Sequence, residues 1–207
     1  LYGRRAEVSA GTLTVGNAGI GVYSQGDNVD LTGGSITVGE NQAVGVYTVG
    51  TGQTVTNAVT SLNIGNNSFG FVNLGQKDAN GKFTIGSGNT VISTLASNAL
   101  VKESIYIYSN DVTGTVANST SLTSSGGQNY GIYSAGTVTN SGNMNFNAGV
   151  GNVGIYSIQS GTATNNAGAV INIGGSDISN NVYGVGMAAG YKTEDKGSIM
   201  SKGMRKG

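Results

Sequence analysis

Gly131-Ile132-Tyr133-Ser134-Ala135-Gly136-Thr137-Val138-Thr139-Asn140-Ser141-Gly142-Asn143-Met144-Asn145-Phe146 holds three short apolar phrases separated by small and glycine-bearing turns. Its opening words recur along the chain. Gly21-Val22-Tyr23-Ser24, Gly45-Val46-Tyr47-Thr48 and Gly154-Ile155-Tyr156-Ser157 are close copies. Gly70-Phe71-Val72-Asn73, Tyr106-Ile107-Tyr108-Ser109 and Gly184-Val185-Gly186-Met187 are weaker ones. The third position falls at 23, 47, 72, 108, 133, 156 and 186, in steps of 24, 25, 36, 25, 23 and 30. A period of about two dozen residues marks a solenoid, in which one coil cannot close a core and must stack on its neighbours.

Two more phrases travel with the first. Val55-Thr56-Asn57, Val116-Ala117-Asn118, Val138-Thr139-Asn140 and the variant Ala163-Thr164-Asn165 form one set. The other is an alternating pair: Leu13 and Val15, Ile36 and Val38, Leu62 and Ile64, Phe83 and Ile85, Met144 and Phe146, Ile171 and Ile173. Three period-two runs per repeat read as three short strands. The expected fold is an all-β, right-handed parallel β-helix with coils of about 24 residues and about eight coils. At roughly 4.8 Å per coil the rod is on the order of 40 Å long, and the hand follows the preference of parallel crossovers. An antiparallel sandwich is the competing all-β reading, but it has no reason to repeat one register seven times.

Alternation assigns the faces. The columns Ile20, Val44, Phe69, Ile105, Tyr130, Val153, Tyr183 and Val22, Val46, Phe71, Ile107, Ile132, Ile155, Val185 are apolar and are expected to line the core. The tyrosines of the opposite parity then face outward, as do Thr14, Thr37, Asn63, Thr84, Asn145 and Asn172. Asn57, Asn118, Asn140 and Asn165 are expected to stack in one turn column, bonded amide to amide from coil to coil.

Interruptions are read from the same pattern. Residues 86–105, inside the long step and without glycine from 89 onward, are expected to form an inserted loop or short helix. Asn80-Gly81 is a separate turn signal. Residues 191–207 carry seven of the twenty charges and form a charged tail in which the repeat stops in mid-coil. The first residues also enter in mid-coil. Residues 1–207 are therefore expected to be one β-helix fragment of a longer protein.

Composition narrows the chemistry. The chain has no cysteine, histidine, proline or tryptophan, 37 glycines, 10% charged residues and a net charge of zero. Without cysteine there are no disulfides and no thiolate chemistry; without histidine the commonest general base and metal ligand is missing. No net field draws in nucleic acid, so none is expected as a partner. No stretch approaches the apolar length of a membrane span.

Gly149-Val150-Gly151-Asn152-Val153-Gly154 fits a dinucleotide-binding spacing, but it leads into another strand, not a helix. Gly174-Gly175-Ser176-Asp177 matches half of a calcium-binding repeat and occurs once. Asp27, Asp30 and Glu40 fall on no shared register; varying turn lengths leave a pair such as Glu103 with Asp111 open for polysaccharide cleavage, with nothing in the sequence to support it. The sequons at Asn66 and Asn118 are chance matches. No catalytic, cofactor-binding or metal-binding residue is assigned, and no cofactor. Tyr23, Tyr47, Tyr108, Tyr133 and Tyr156 remain as a stripe. Ring packing between coils is the preferred reading; stacking on sugars or docking a protein partner is the functional one.

The wording from Gly131-Ile132-Tyr133-Ser134 through Gly142-Asn143-Met144-Asn145, with Gly184-Val185-Gly186-Met187-Ala188-Ala189-Gly190, resembles the passenger-domain repeat of large fusobacterial-type autotransporter adhesins of type V secretion. The resemblance runs through most of 8–203 and fades in 86–105. It implies a cell-surface, extracellular passenger, anchored to the outer membrane only through a translocator barrel that this chain does not contain. It further implies attachment to a host-cell or bacterial surface protein or glycan, without enzymatic activity. The alternative is a carbohydrate-active β-helix enzyme or a glycan-binding module.

Overall fold

Each repeat makes three strands because glycine and asparagine turns cut its apolar residues into three period-two runs. The computed structural model describes residues 5–81, 86–94, 97–159 and 161–190. Strands are numbered β1 to β21 along the chain. The asparagine sheet stacks β1 (Arg5–Val8), β4 (Asn28–Leu31), β7 (Thr54–Asn57), β10 (Thr90–Ser93), β13 (Thr115–Asn118), β16 (Thr137–Asn140) and β19 (Thr162–Asn165). The alternating sheet stacks β2 (Thr12–Val15), β5 (Ser35–Val38), β8 (Ser61–Ile64), β11 (Ser97–Leu100), β14 (Ser121–Ser124), β17 (Met144–Phe146) and β20 (Ile171–Ile173). The tyrosine sheet stacks β3 (Ile20–Gln25), β6 (Val44–Val49), β9 (Phe69–Leu74), β12 (Ile105–Ser109), β15 (Tyr130–Ser134), β18 (Val153–Ile158) and β21 (Val185–Gly190).

Every pairing between these strands is parallel and joins one coil to the next. The chain is thus a parallel β-solenoid with three sheets. Typical coils advance 25 residues, as from Thr90 to Thr115 and from Thr137 to Thr162. Seven strands per sheet are six stacking steps, so the solenoid makes about six turns, not the eight expected. Dividing length by period overcounts, because two connections consume extra chain and the tail 191–207 lies outside the described residues.

The first long connection is not where the pattern placed it. Residues 86–105 are not a loop or helix insertion: they supply β10 and β11 and enter β12. The extra chain is residues 75–89, between β9 and β10. The copy in β10 is disguised because Ser93 pairs with Asn57 and Asn118, occupying the asparagine position. In β11, Asn98 stands in register with Leu62 and Leu122, which hides the alternating pair. Phe83 and Ile85, expected to be that pair, and Thr84 lie outside the described residues; β11 takes their place between β8 and β14. At the base of the extra chain, the buried Asp111 carboxylate accepts the backbone N–H groups of Ser87 and Asn89 at 2.8 Å each, and of Thr113 at 3.1 Å.

The tyrosine sheet also departs from simple alternation of its faces. Along the tyrosine sheet the register passes from Ile20–Val44 to Val22–Val46 and from Tyr130–Val153 to Ile132–Ile155, omitting the glycine between. The strand bends there. A Cβ placed on Gly21 would meet Val15 Cγ2 at 2.7 Å and Leu13 Cδ2 at 3.1 Å, so the glycine faces inward. The residue after it also faces inward: Val22, Val46, Phe71, Ile107, Ile132 and Ile155 belong to the central core. Two consecutive inward residues shift the phase, so the preceding column points out. Val44, Ile105, Tyr130 and Val153, expected inside, pack with Tyr108 and Tyr133 in a second cluster on the outer face. In the last coil, Val185 pairs with Val153 and Ala188 with Tyr156, so the repeat lies two residues later than its glycines indicated.

Polar ladders fill the interior beside the apolar columns. Asn118 Nδ2 donates to Asn140 Oδ1 at 2.8 Å, and Asn140 Nδ2 to Asn165 Oδ1 at 2.7 Å, as the stacked column predicts. The tyrosine sheet adds its own inner rung: Thr48 Oγ1 donates to Asn73 Oδ1 at 3.1 Å and Asn73 Nδ2 to Ser109 Oγ at 3.1 Å. Each amide placed in register satisfies a buried partner one coil away, which locks the stacking register.

Candidate interaction surface

The bend in the tyrosine sheet places all five stripe tyrosines on its outer face, in register through β3, β6, β12, β15 and β18. Val72 stands between Tyr47 and Tyr108 and divides the stripe. Tyr23 and Tyr47 stack with centroids 5.8 Å apart and planes 18° apart. Tyr108 and Tyr133 lie 5.4 Å apart, and Tyr133 meets Tyr156 edge-on at 5.0 Å.

Exposure separates the two groups. Tyr23 is 56% exposed, at the sheet's end strand, and Tyr47 is half-buried. Tyr108 and Tyr133 are buried at 7% and 2% exposed, and Tyr156 is half-buried. The stripe is therefore not continuously exposed. Tyr130, which the alternation assigned to the core, joins the second group, 5.8 Å from Tyr133 and 6.3 Å from Tyr156. Its phenol pKa is raised, first by burial and then by Tyr156. The Tyr47 phenol is raised by burial and by its neighbour Tyr23. Aliphatic residues Val44, Val72, Leu74, Ile105, Val153 and Ile158 fill the gaps between rings. The packing role assigned to these rings thus has its contacts, and Tyr23 presents the accessible ring surface.

Glu7 and Asp30 are register partners on adjacent strands and share Arg5, with Glu7 Oε2 3.5 Å from its guanidinium. Asp30 accepts Arg5 Nε at 2.6 Å, and Glu103 pairs with Lys102 at 3.2 Å. Asp111 is committed to backbone amides at the other end of β12 from Glu103. Among the described residues no group of three or more Asp or Glu side chains could hold a metal ion. Gly149 to Gly154 run into β18, a strand. Asn118 of the second sequon is buried in its ladder, and Asn66 Nδ2 donates to Glu40 Oε1 at 3.0 Å.

One surface element escaped the sequence reading. Between β20 and β21 the chain spends residues 174–184 on a corner that takes four to six residues in every other coil. Asp177 opens a one-turn 3-10 helix, Ile178–Asn180, whose Ile178 is 74% exposed. The signal was present as the 30-residue final step, but it was absorbed by aligning Gly184 with the earlier glycines. No helix among the described residues is long and apolar enough to cross a membrane. Comparison with protein-family models, with curated proteins and with solved structures finds no match.

Proposed function

We propose that this solenoid is a non-enzymatic segment of the passenger of a bacterial surface autotransporter, supporting or mediating attachment to host cells or other bacteria. In this reading the coils wind right-handed, and a C-terminal translocator barrel anchors the whole protein to the outer membrane. The partner is a surface protein or a glycan. The observation that carries the proposal is the continuous in-register stack of three seven-stranded sheets, tied inside by amide ladders. Six stacking steps at about 4.8 Å make a rod of about 30 Å from roughly 190 residues. Every added repeat lengthens it without a new folding problem, because each coil needs only its neighbours. Reach and stiffness are what an attachment device needs of its scaffold. The repeat wording around Gly131 to Asn145 supports the same family reading.

Antibodies raised against the chain test the location. They are expected to label intact cells of the source bacterium, with the label lost after brief protease treatment; label only after permeabilisation would contradict it. Beads coated with the chain are expected to bind host cells or bacteria more than uncoated beads. Release of reducing sugars from a polysaccharide panel by the purified chain would overturn the non-enzymatic part.

A further inference from the structure

Asn80-Gly81 is the only Asn-Gly pair in the sequence. The carboxamide of an asparagine is open to attack by the backbone nitrogen of the next residue, and glycine offers that nitrogen with the least steric hindrance. The pair lies in the extra chain between β9 and β10, outside the three-strand coil. Residues Asp78 to Gly81 form a turn there. Asn80 N–H donates to Asp78 Oδ1 at 2.8 Å, and Gly81 N–H donates to the Asp78 carbonyl at 2.9 Å. Asn80 and Gly81 are both exposed, and a Cβ placed on Gly81 would meet nothing within 4 Å. Among the described residues the Asn80 carboxamide has no hydrogen-bond partner.

The asparagines of the stacked column are held differently. In each case the nitrogen that would attack is tied to the neighbouring coil. Ala58 N–H donates to the Leu31 carbonyl at 2.6 Å, Ser119 to Ser93 at 2.8 Å, Ser141 to Asn118 at 2.7 Å and Asn166 to Asn140 at 2.8 Å. The Asn118 and Asn140 amides are also bonded within the ladder. Reaction there requires the coils to part. At Asn80 it requires one exposed turn bond to open, which slows it by only about fivefold.

We propose that Asn80 is a site of spontaneous deamidation. The Gly81 amide nitrogen gives up its proton to hydroxide and bonds to Asn80 Cγ; the Cγ–Nδ2 bond breaks and ammonia leaves. Water then opens the cyclic imide at either carbonyl. The products are aspartate, and isoaspartate with the chain running through Cβ and Cγ. Water is the co-reactant throughout, and no electrons are exchanged. The change stays within the connection because its base is pinned. Gly75 N–H donates to Asn110 Oδ1 at 3.0 Å and Gln76 N–H to Ser87 Oγ at 2.6 Å, beside the amides that Asp111 holds. A chain of zero net charge thereby gains one negative charge on its surface with age, while its coils stay as they were. This chemistry does not depend on the attachment reading.

The purified chain is held at mildly alkaline pH and physiological temperature, sampled over weeks and analysed by peptide mass spectrometry. Isoaspartate is scored with a protein isoaspartyl methyltransferase. The mass gain of an amide-to-acid exchange is expected at Asn80 before any other asparagine, with isoaspartate the larger product and the melting temperature unchanged. Gly81→Val is expected to slow the conversion by crowding the attacking nitrogen, and Asn80→Gln to abolish the isoaspartate signal. In guanidinium chloride Asn118 and Asn140 are expected to begin converting, while Asn80 accelerates only about fivefold. Three results overturn the proposal: Asn80 persisting as the amide, Asn118 or Asn140 converting as early in the folded chain, or denaturant accelerating Asn80 as much as Asn118. A melting temperature that falls as Asn80 converts would overturn the confinement of the change to the connection.

Discussion

Asn57 Nδ2 donates to the Tyr106 hydroxyl at 2.9 Å inside the solenoid, across the space between the asparagine and tyrosine sheets. Tyr106 occupies the place where other coils have glycine, and its ring is fully buried against Phe71 at 5.6 Å. In the same coil Ser93 occupies the asparagine place, and its hydroxyl bonds both Asn57 and Tyr106. One coil thus exchanges glycine for tyrosine and asparagine for serine together. The phenol reaches into room left by the smaller serine and completes the polar ladder that the missing amide would have made.

This pairing predicts non-additive stability. Tyr106→Gly leaves a large void and is expected to cost about 3–5 kcal/mol, the range for deleting a buried aromatic side chain. Ser93→Asn alone crowds the phenol and is expected to cost about 1–3 kcal/mol. Combined, the two restore the common repeat and are expected to cost less than the sum of the single changes. Urea denaturation of the four proteins measures the coupling; strictly additive costs would dissolve the proposed exchange.

The inward glycine makes a second prediction. At Gly131 a Cβ would stand 2.5 Å from the Gly154 carbonyl oxygen and 3.0 Å from Met144 Sδ, whereas at Gly16 it would meet nothing within 4 Å. Gly131→Ala is expected to destabilise by about 1–3 kcal/mol, and Gly16→Ala to be neutral or slightly stabilising. Equal melting shifts for the two would argue against the bend.

Much of the architecture was legible. The three phrases, the parallel stacking, the asparagine ladder and the outward tyrosines follow from period and alternation alone. The rest was not, for reasons that particular residues show. Alternation presumes one residue per side, and it fails at Gly21 and Gly131, where a bend turns two neighbours inward. The β10–β11 coil was hidden because Ser93 and Asn98 depart from the consensus at the two positions that identify it. The exposed part of the tyrosine stripe depends on neighbours in other coils, which no single phrase encodes.

The ladder itself should carry measurable stability. Asn140 accepts from Asn118 and donates to both Asn165 Oδ1 and the Gly142 carbonyl. Asn140→Ala removes an acceptor from the buried Asn118 amide and a donor from the half-buried Asn165 amide and is expected to cost about 1–3 kcal/mol. Asn145→Ala, on the exposed face of the alternating sheet, is expected to lie within about 0.5 kcal/mol of the parent. The same urea melts compare them.

Alkaline titration tests the buried phenols. Burial raises the Tyr106 and Tyr130 pKa values in the folded protein, so the neutral phenol is favoured there over the anion. Below the unfolded value of about 10 both states are protonated and stability is unaffected. Above it the unfolded chain loses protons that the folded chain keeps, so stability falls as pH rises. Absorbance at the tyrosinate band is expected to show a late group of phenols that ionise together with unfolding; ionisation of all ten tyrosines near the ordinary value in a still-folded protein would contradict their burial.

Everything depends on each coil lying parallel and in register on the next, and the absence of cysteine from the sequence allows that to be read directly. Thr115 of β13 and Thr137 of β16 are register partners on the outer face. Adjacent strands lie about 4.8 Å apart, within disulfide reach. Thr115→Cys with Thr137→Cys is expected to form an intramolecular disulfide rapidly on mild oxidation, and Thr115→Cys with Thr139→Cys, two residues out of register, to form it slowly or not at all. Preferential cross-linking of the offset pair, or of neither, would contradict the stacked parallel coil.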